Sequence, residues 1–107
     1  MSAGEASGDL HGGALLEAIG KLDAGAEFVF LGGDEMARSA GHEPLVHYRE
    51  MAYMGFSEVL RNLGKVLGNL KRAKEEIARF RPDAVILIDY PSFNLKLARY
   101  AYGLGIP

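Results

Sequence analysis

Hydrophobic positions in this chain alternate between short unbroken runs and longer stretches that repeat every three to four residues. From Ser7–Asp9 to Leu22, the residues Leu10, Ala14, Leu15, Ile19 and Leu22 share one helical face, which predicts a first helix with Ser7 or Asp9 as its N-cap. Asp23-Ala24-Gly25 ends it. Glu27 to Leu31 (EFVFL) predicts a buried strand, stopped by Gly32-Gly33. Asp34 is the expected cap of a short helix over Glu35–Ala40, with Gly41 at its C-terminal cap. Leu45 to Tyr48 predicts a further short strand. Ser57 to Phe80 is the longest helix, with a stripe of Val59, Leu60, Leu63, Val66, Leu67, Leu70, Ala73, Ile77 and Phe80. Gly64 and Gly68 each lower helix propensity by ~1 kcal/mol, so a bend is expected near Gly68. Pro82 stops this helix. Ala84 to Ile88 (AVILI) reads as a strand buried on both faces. Pro91 or Ser92 opens a last helix through Leu95, Leu97, Ala98, Ala101 and Leu104, and Gly105-Ile106-Pro107 leads toward another strand.

Helices and strands therefore alternate, which implies an α/β fold with a parallel sheet and right-handed crossovers. Such a domain normally opens with a strand feeding its first glycine loop. Met1 to Gly8 is small and glycine-rich with no strand-like run, so that first strand is expected to be absent.

Composition narrows the picture. The 107 residues suit one domain, and 49% hydrophobic with 24% charged residues is ordinary globular material. A net charge of −2 makes no case for a nucleic-acid partner. The absence of cysteine excludes disulfides, thiolate metal sites and cysteine nucleophiles. No apolar run reaches the ~18 residues of a transmembrane helix, and the first residues do not read as a signal peptide.

Three segments could carry chemistry. Gly4-Glu5-Ala6-Ser7-Gly8-Asp9 places two glycines ahead of a helix N-terminus, which suits a phosphate or a sugar hydroxyl; a tight turn with capping is the alternative. The spacing is not the dinucleotide fingerprint, so a nicotinamide cofactor is not indicated, and it is not a Walker A loop either. Asp89, in Ile88-Asp89-Tyr90-Pro91-Ser92-Phe93-Asn94, lies at the end of a central strand, where open α/β sheets bind ligands. It suits a general base, or else a turn or cap residue before Pro91. Met51 to Phe56 is dense in large apolar groups. The helix behind it carries seven basic and three acidic residues over Ser57–Arg81, as suits either an anionic membrane surface or a core helix with a solvated basic face. His11, His42 and His47 lack metal-ligand spacing.

GEASGD, then MGFSEVL, then IDYPSFN, in that order, resemble the N-terminal domain of the lipid A disaccharide synthase family of bacterial glycosyltransferases, over essentially the whole chain. The resemblance implies a Rossmann-like parallel sheet, one incomplete half of a glycosyltransferase-B-type fold. It implies transfer of 2,3-diacylglucosamine from its UDP-linked form to 2,3-diacylglucosamine 1-phosphate, with inversion and without metal or other cofactor. By position, Asp89 matches the family's proposed general base. Gly4, Glu5, Ser7, Gly8, Asp9 and Asn94 match substrate-binding positions. Met54, Phe56, Val59, Leu60 and Leu63 match the membrane and acyl-chain contact. A peripheral location on the inner membrane of a Gram-negative bacterium follows. Residues 1–107 would be a partial acceptor-side domain without the UDP-sugar domain, inactive alone and prone to self-association. A non-catalytic sugar- or phosphate-binding module is the alternative.

Overall fold

The computed structural model describes residues 1–51 and 60–107. Four short strands, β1 (Ser2–Ala3), β2 (Leu31–Gly32), β3 (Val46–His47) and β4 (Leu87–Ile88), form a parallel sheet in the order β3-β2-β1-β4. Helices α1 (Ala6–Leu22), α2 (Asp34–Ala40), α3 (Leu63–Phe80) and α4 (Pro91–Gly103) connect or follow them, and a 3-10 turn spans Tyr48–Glu50. Ala3, Leu16, Phe30 and Met36 form a core on the α1–α2 side. Leu31, Val46, Met51, Leu70, Ala73, Phe93 and Leu97 form one on the α3–α4 side. The predicted α/β architecture is therefore present, with helices on both sides of a parallel sheet.

The expectation that no strand precedes Gly4 is corrected. Ser2 pairs with both Leu31 and Leu87, so β1 lies at the centre of the sheet. Two residues are too few to carry a readable apolar pattern. The other strands are shorter than their apolar runs. Leu87 and Ile88 are half-buried, not buried on both faces as expected. Phe28 and Val29 on one side and Val85 and Ile86 on the other line a cavity of about 470 Å³ beneath Met1, so the first halves of these runs have no ladder between them. The Met1 amino group donates to the Val29 carbonyl at 2.8 Å. Two residues before β4, the Val85 N–H donates to the Pro107 carbonyl at 2.7 Å.

The predicted apolar stripe of α1 does not face the core. Gly8, Asp9, Gly12, Gly13 and Leu16 do, while Leu10 and Leu15 are exposed and Leu22 is 90% exposed. The cause is a close crossing with α2: a methyl on Gly12 would come within 2.7 Å of Met36 Sδ and would displace that buried side chain. The N-cap of α1 is Glu5, not Ser7 or Asp9. The N-cap of α2 is Gly33, and Asp34 turns its carboxylate to His47 and Arg49. Gly41 closes α2 in the left-handed conformation, as expected. In the long helix, α3 runs unbroken through Gly64 and Gly68. The interruption lies at Asn62, between helical Arg61 and Leu63.

Candidate active site

Chain direction places the site. After β1 the chain turns through α1 to β2 on one side, whereas β4 joins β1 on the other, so the connections diverge between β1 and β4. In open parallel sheets this divergence leaves a crevice at the C-terminal strand ends. Ala3 pairs with Ile88, so the next residues, Gly4 and Asp89, leave the sheet side by side. The early and late motifs thus converge at one place. A methyl on Gly4 would overlap the Tyr90 ring, so the two loops touch through that ring.

The mouth of this crevice is polar. Asp89 is exposed, as are Glu5, Ser7, Pro91 and Ser92. Both α1 and α4 begin here, and neither has a side-chain cap bond. The positive dipole ends of both helices therefore lie at the crevice, an environment that favours an anionic group. Asp89 and Tyr90 have φ of 50° and 49°, the left-handed region that non-glycine residues seldom occupy, at the point where the carboxylate is presented.

Two of the expected substrate contacts point into the protein. Asp9 is 3% exposed, and its carboxylate accepts N–H bonds from Gly33 at 2.7 Å and from Glu35 and Met36 at 3.0 Å. A carboxylate on α1 thereby caps α2 from outside. Asn94 is also buried. Its amide Nδ2 donates to the carbonyls of Asp89 at 2.7 Å, Ser2 at 3.2 Å and Ile88 at 3.3 Å. It ties the end of β4 to β1 under the exposed Asp89. Asn94 Oδ1 and Ser2 Oγ are buried without a partner among the described residues. Gly8 is buried, and a methyl there would meet Ala3 Cβ at 3.1 Å.

Met54, Phe56 and Val59 lie outside the described residues. Leu60, before the interruption at Asn62, and Leu63 are 54% and 45% exposed, and Leu67, one turn beyond Leu63, is 51% exposed. Lys71 and Lys74 follow on α3. Among the described residues no helix is long and apolar enough to cross a membrane.

A family model for lipid-A-disaccharide synthetase matches residues 1–106. The chain belongs to this family. It is 43% identical over 107 residues to the lipid-A-disaccharide synthase of Acidobacterium capsulatum, covering 100% of this chain and 26% of that protein. With the lipid-A-disaccharide synthase of Syntrophus aciditrophicus it shares 45% identity over 105 residues, 98% of this chain and 27% of that one. The corresponding synthase of Nitrosococcus oceani is 41% identical over 104 residues, at 97% and 27% coverage. The chain thus spans about a quarter of the length of these relatives. No solved structure gives a significant match. Within this segment the polar crevice between β1 and β4 is the candidate site. Tyr90, unremarked within the late motif, joins that motif to the glycine loop; a large aromatic between an aspartate and a proline is the only sequence signal for it.

Proposed function

We propose that this chain is the acceptor-side part of a glycosyltransferase that moves 2,3-diacylglucosamine from its UDP-linked form onto 2,3-diacylglucosamine 1-phosphate. The observation that carries the reading is the exposed Asp89 carboxylate at the β1–β4 divergence, beside Gly4. In the proposed step Asp89 takes the proton of the acceptor 6-hydroxyl as that oxygen attacks the anomeric carbon. The new C–O bond forms, the bond to UDP breaks, and UDP leaves with the electron pair, inverting the anomeric centre. Gly4, Gly8, Glu5 and Ser7 border the acceptor. The uncapped starts of α1 and α4 suit its phosphate. Asp9 and Asn94 serve this site by holding its walls. The donor is bound by the part of the protein beyond this segment.

The exposed leucines of α3, followed by lysines, support peripheral contact with an anionic membrane on the cytoplasmic face, where both acylated sugars are presented. Disaccharide formation by the full-length protein and by its Asp89→Asn variant tests the reading. Loss of roughly 10²-fold or more in turnover is expected, and near-normal turnover refutes the general-base role. Tight binding of UDP to residues 1–107 alone contradicts the proposed division of labour.

A further inference from the structure

We propose that Tyr90 is a positioning residue for Asp89, acting through the shared backbone and not by touching substrate. The inference rests on the reading of Asp89 as general base. Consecutive left-handed residues without glycine are unfavourable, so the surroundings must hold them in place. Tyr90 supplies that restraint. Its hydroxyl donates to the Met51 carbonyl at 2.5 Å, 39 residues away in the chain. Its ring stacks on Phe93 with centroids 5.5 Å apart and planes 17° from parallel, and it covers Gly4.

The anchor is itself fixed. Met51 is buried in the α3–α4 core, and the preceding Glu50 carbonyl accepts a hydrogen bond from Asn69 of α3 at 3.2 Å. Rotation of the Asp89–Tyr90 backbone toward an ordinary conformation would pull the ring off Phe93 and the hydroxyl off Met51. On the other side, Asn94 holds the Asp89 carbonyl at 2.7 Å. The Asp89 carboxylate is thus the exposed tip of a residue clamped from both directions. Such orientation acts on the reacting geometry more than on substrate affinity.

The test is a double-mutant cycle in the full-length enzyme using Tyr90→Phe, which removes only the hydroxyl, together with Asp89→Asn. Tyr90→Phe is expected to lower kcat roughly tenfold while KM stays within about twofold. On the Asp89→Asn background it is expected to cause no further loss, because its effect runs through the missing carboxylate. Tyr90→Asn, which tolerates the left-handed backbone but lacks the ring, is expected to show the same dependence with a larger loss in kcat. Wild-type kcat in Tyr90→Phe overturns the inference, as does a loss that multiplies with that of Asp89→Asn while Asp89→Asn alone remains severely impaired. Near-normal turnover of Asp89→Asn instead overturns the base assignment, and this inference with it.

Discussion

Asp9 Oδ1 accepts the Gly33 N–H at 2.7 Å, bridging 24 positions of sequence, and so joins the glycine loop after β1 to the start of α2. Glu35 and Met36 complete a set of three N–H donors on one carboxylate. Asp9→Ala leaves three amides at a buried helix start without this acceptor, and is expected to destabilise the domain by about 2–4 kcal/mol. Asp9→Asn keeps one acceptor oxygen and should cost roughly half as much. Urea denaturation measures both; an Asp9→Ala midpoint equal to wild type would rule out the clamp.

Gly4→Ala forces a methyl into the space of the Tyr90 ring. Overpacking of this kind costs about 1–3 kcal/mol, and here the ring has to move to relieve it. The near-UV circular dichroism of the tyrosines is expected to change along with the denaturation midpoint. An unchanged spectrum at wild-type stability would mean that Gly4 and Tyr90 do not meet.

Burial lowers the pKa of the Met1 amino group from 8.0 to about 6. Between these values the unfolded chain holds more protons than the folded one, so stability rises with pH from about 6 to 8. At lower pH the amine must be charged inside the fold, at a cost of roughly 2 kcal/mol. The 107-residue polypeptide with a free amino terminus should show this slope in its denaturation midpoint. The same polypeptide with an acetylated terminus should lose that part of the slope, and identical slopes in the two would dispose of the assignment.

Leu60, Leu63 and Leu67 present apolar side chains to solvent ahead of Lys71 and Lys74. Replacing all three leucines with serine is expected to weaken binding to vesicles containing anionic lipid roughly tenfold or more. Co-sedimentation at low and high salt separates the apolar from the electrostatic share. Equal binding by the triple variant and the wild type would exclude this face as the membrane contact.

Leu10, Leu22, Leu95 and Tyr102 lie on helix faces left exposed among the described residues. With β3 as an open sheet edge, they are expected to drive self-association of the isolated 107-residue polypeptide. Light scattering over a concentration series checks this, and a monomer at the highest concentration refutes it.

Much of the architecture was legible because long periodic segments leave strong patterns. The last turns of α3 and the Pro91 start of α4 stand where proline and apolar spacing place them. The buried face of α1 was not legible, because it is built from Gly8, Gly12 and Gly13. Close packing selects small side chains, and hydrophobicity ranks them low. The partners of Asp9 were hidden for a related reason: a carboxylate in a glycine loop reads as ligand-facing, and its hydrogen bonds go to a helix remote in sequence. Asn94 likewise stood out as a polar residue in a motif, with its three carbonyl partners invisible from sequence. The convergence of Gly4 with Asp89 depends on the β1–β4 register, which only the folded sheet specifies.

Among the described residues, the paired strand residues lie at the ends nearest Gly4 and Asp89, and the opposite ends border the cavity. Protection against amide hydrogen exchange should therefore be graded along the strands, with Leu31 and Ile88 exchanging more slowly than Phe28 and Ile86. On this expectation the crevice stands on the more slowly opening end of the sheet, and its two loops keep their shape while the far end fluctuates.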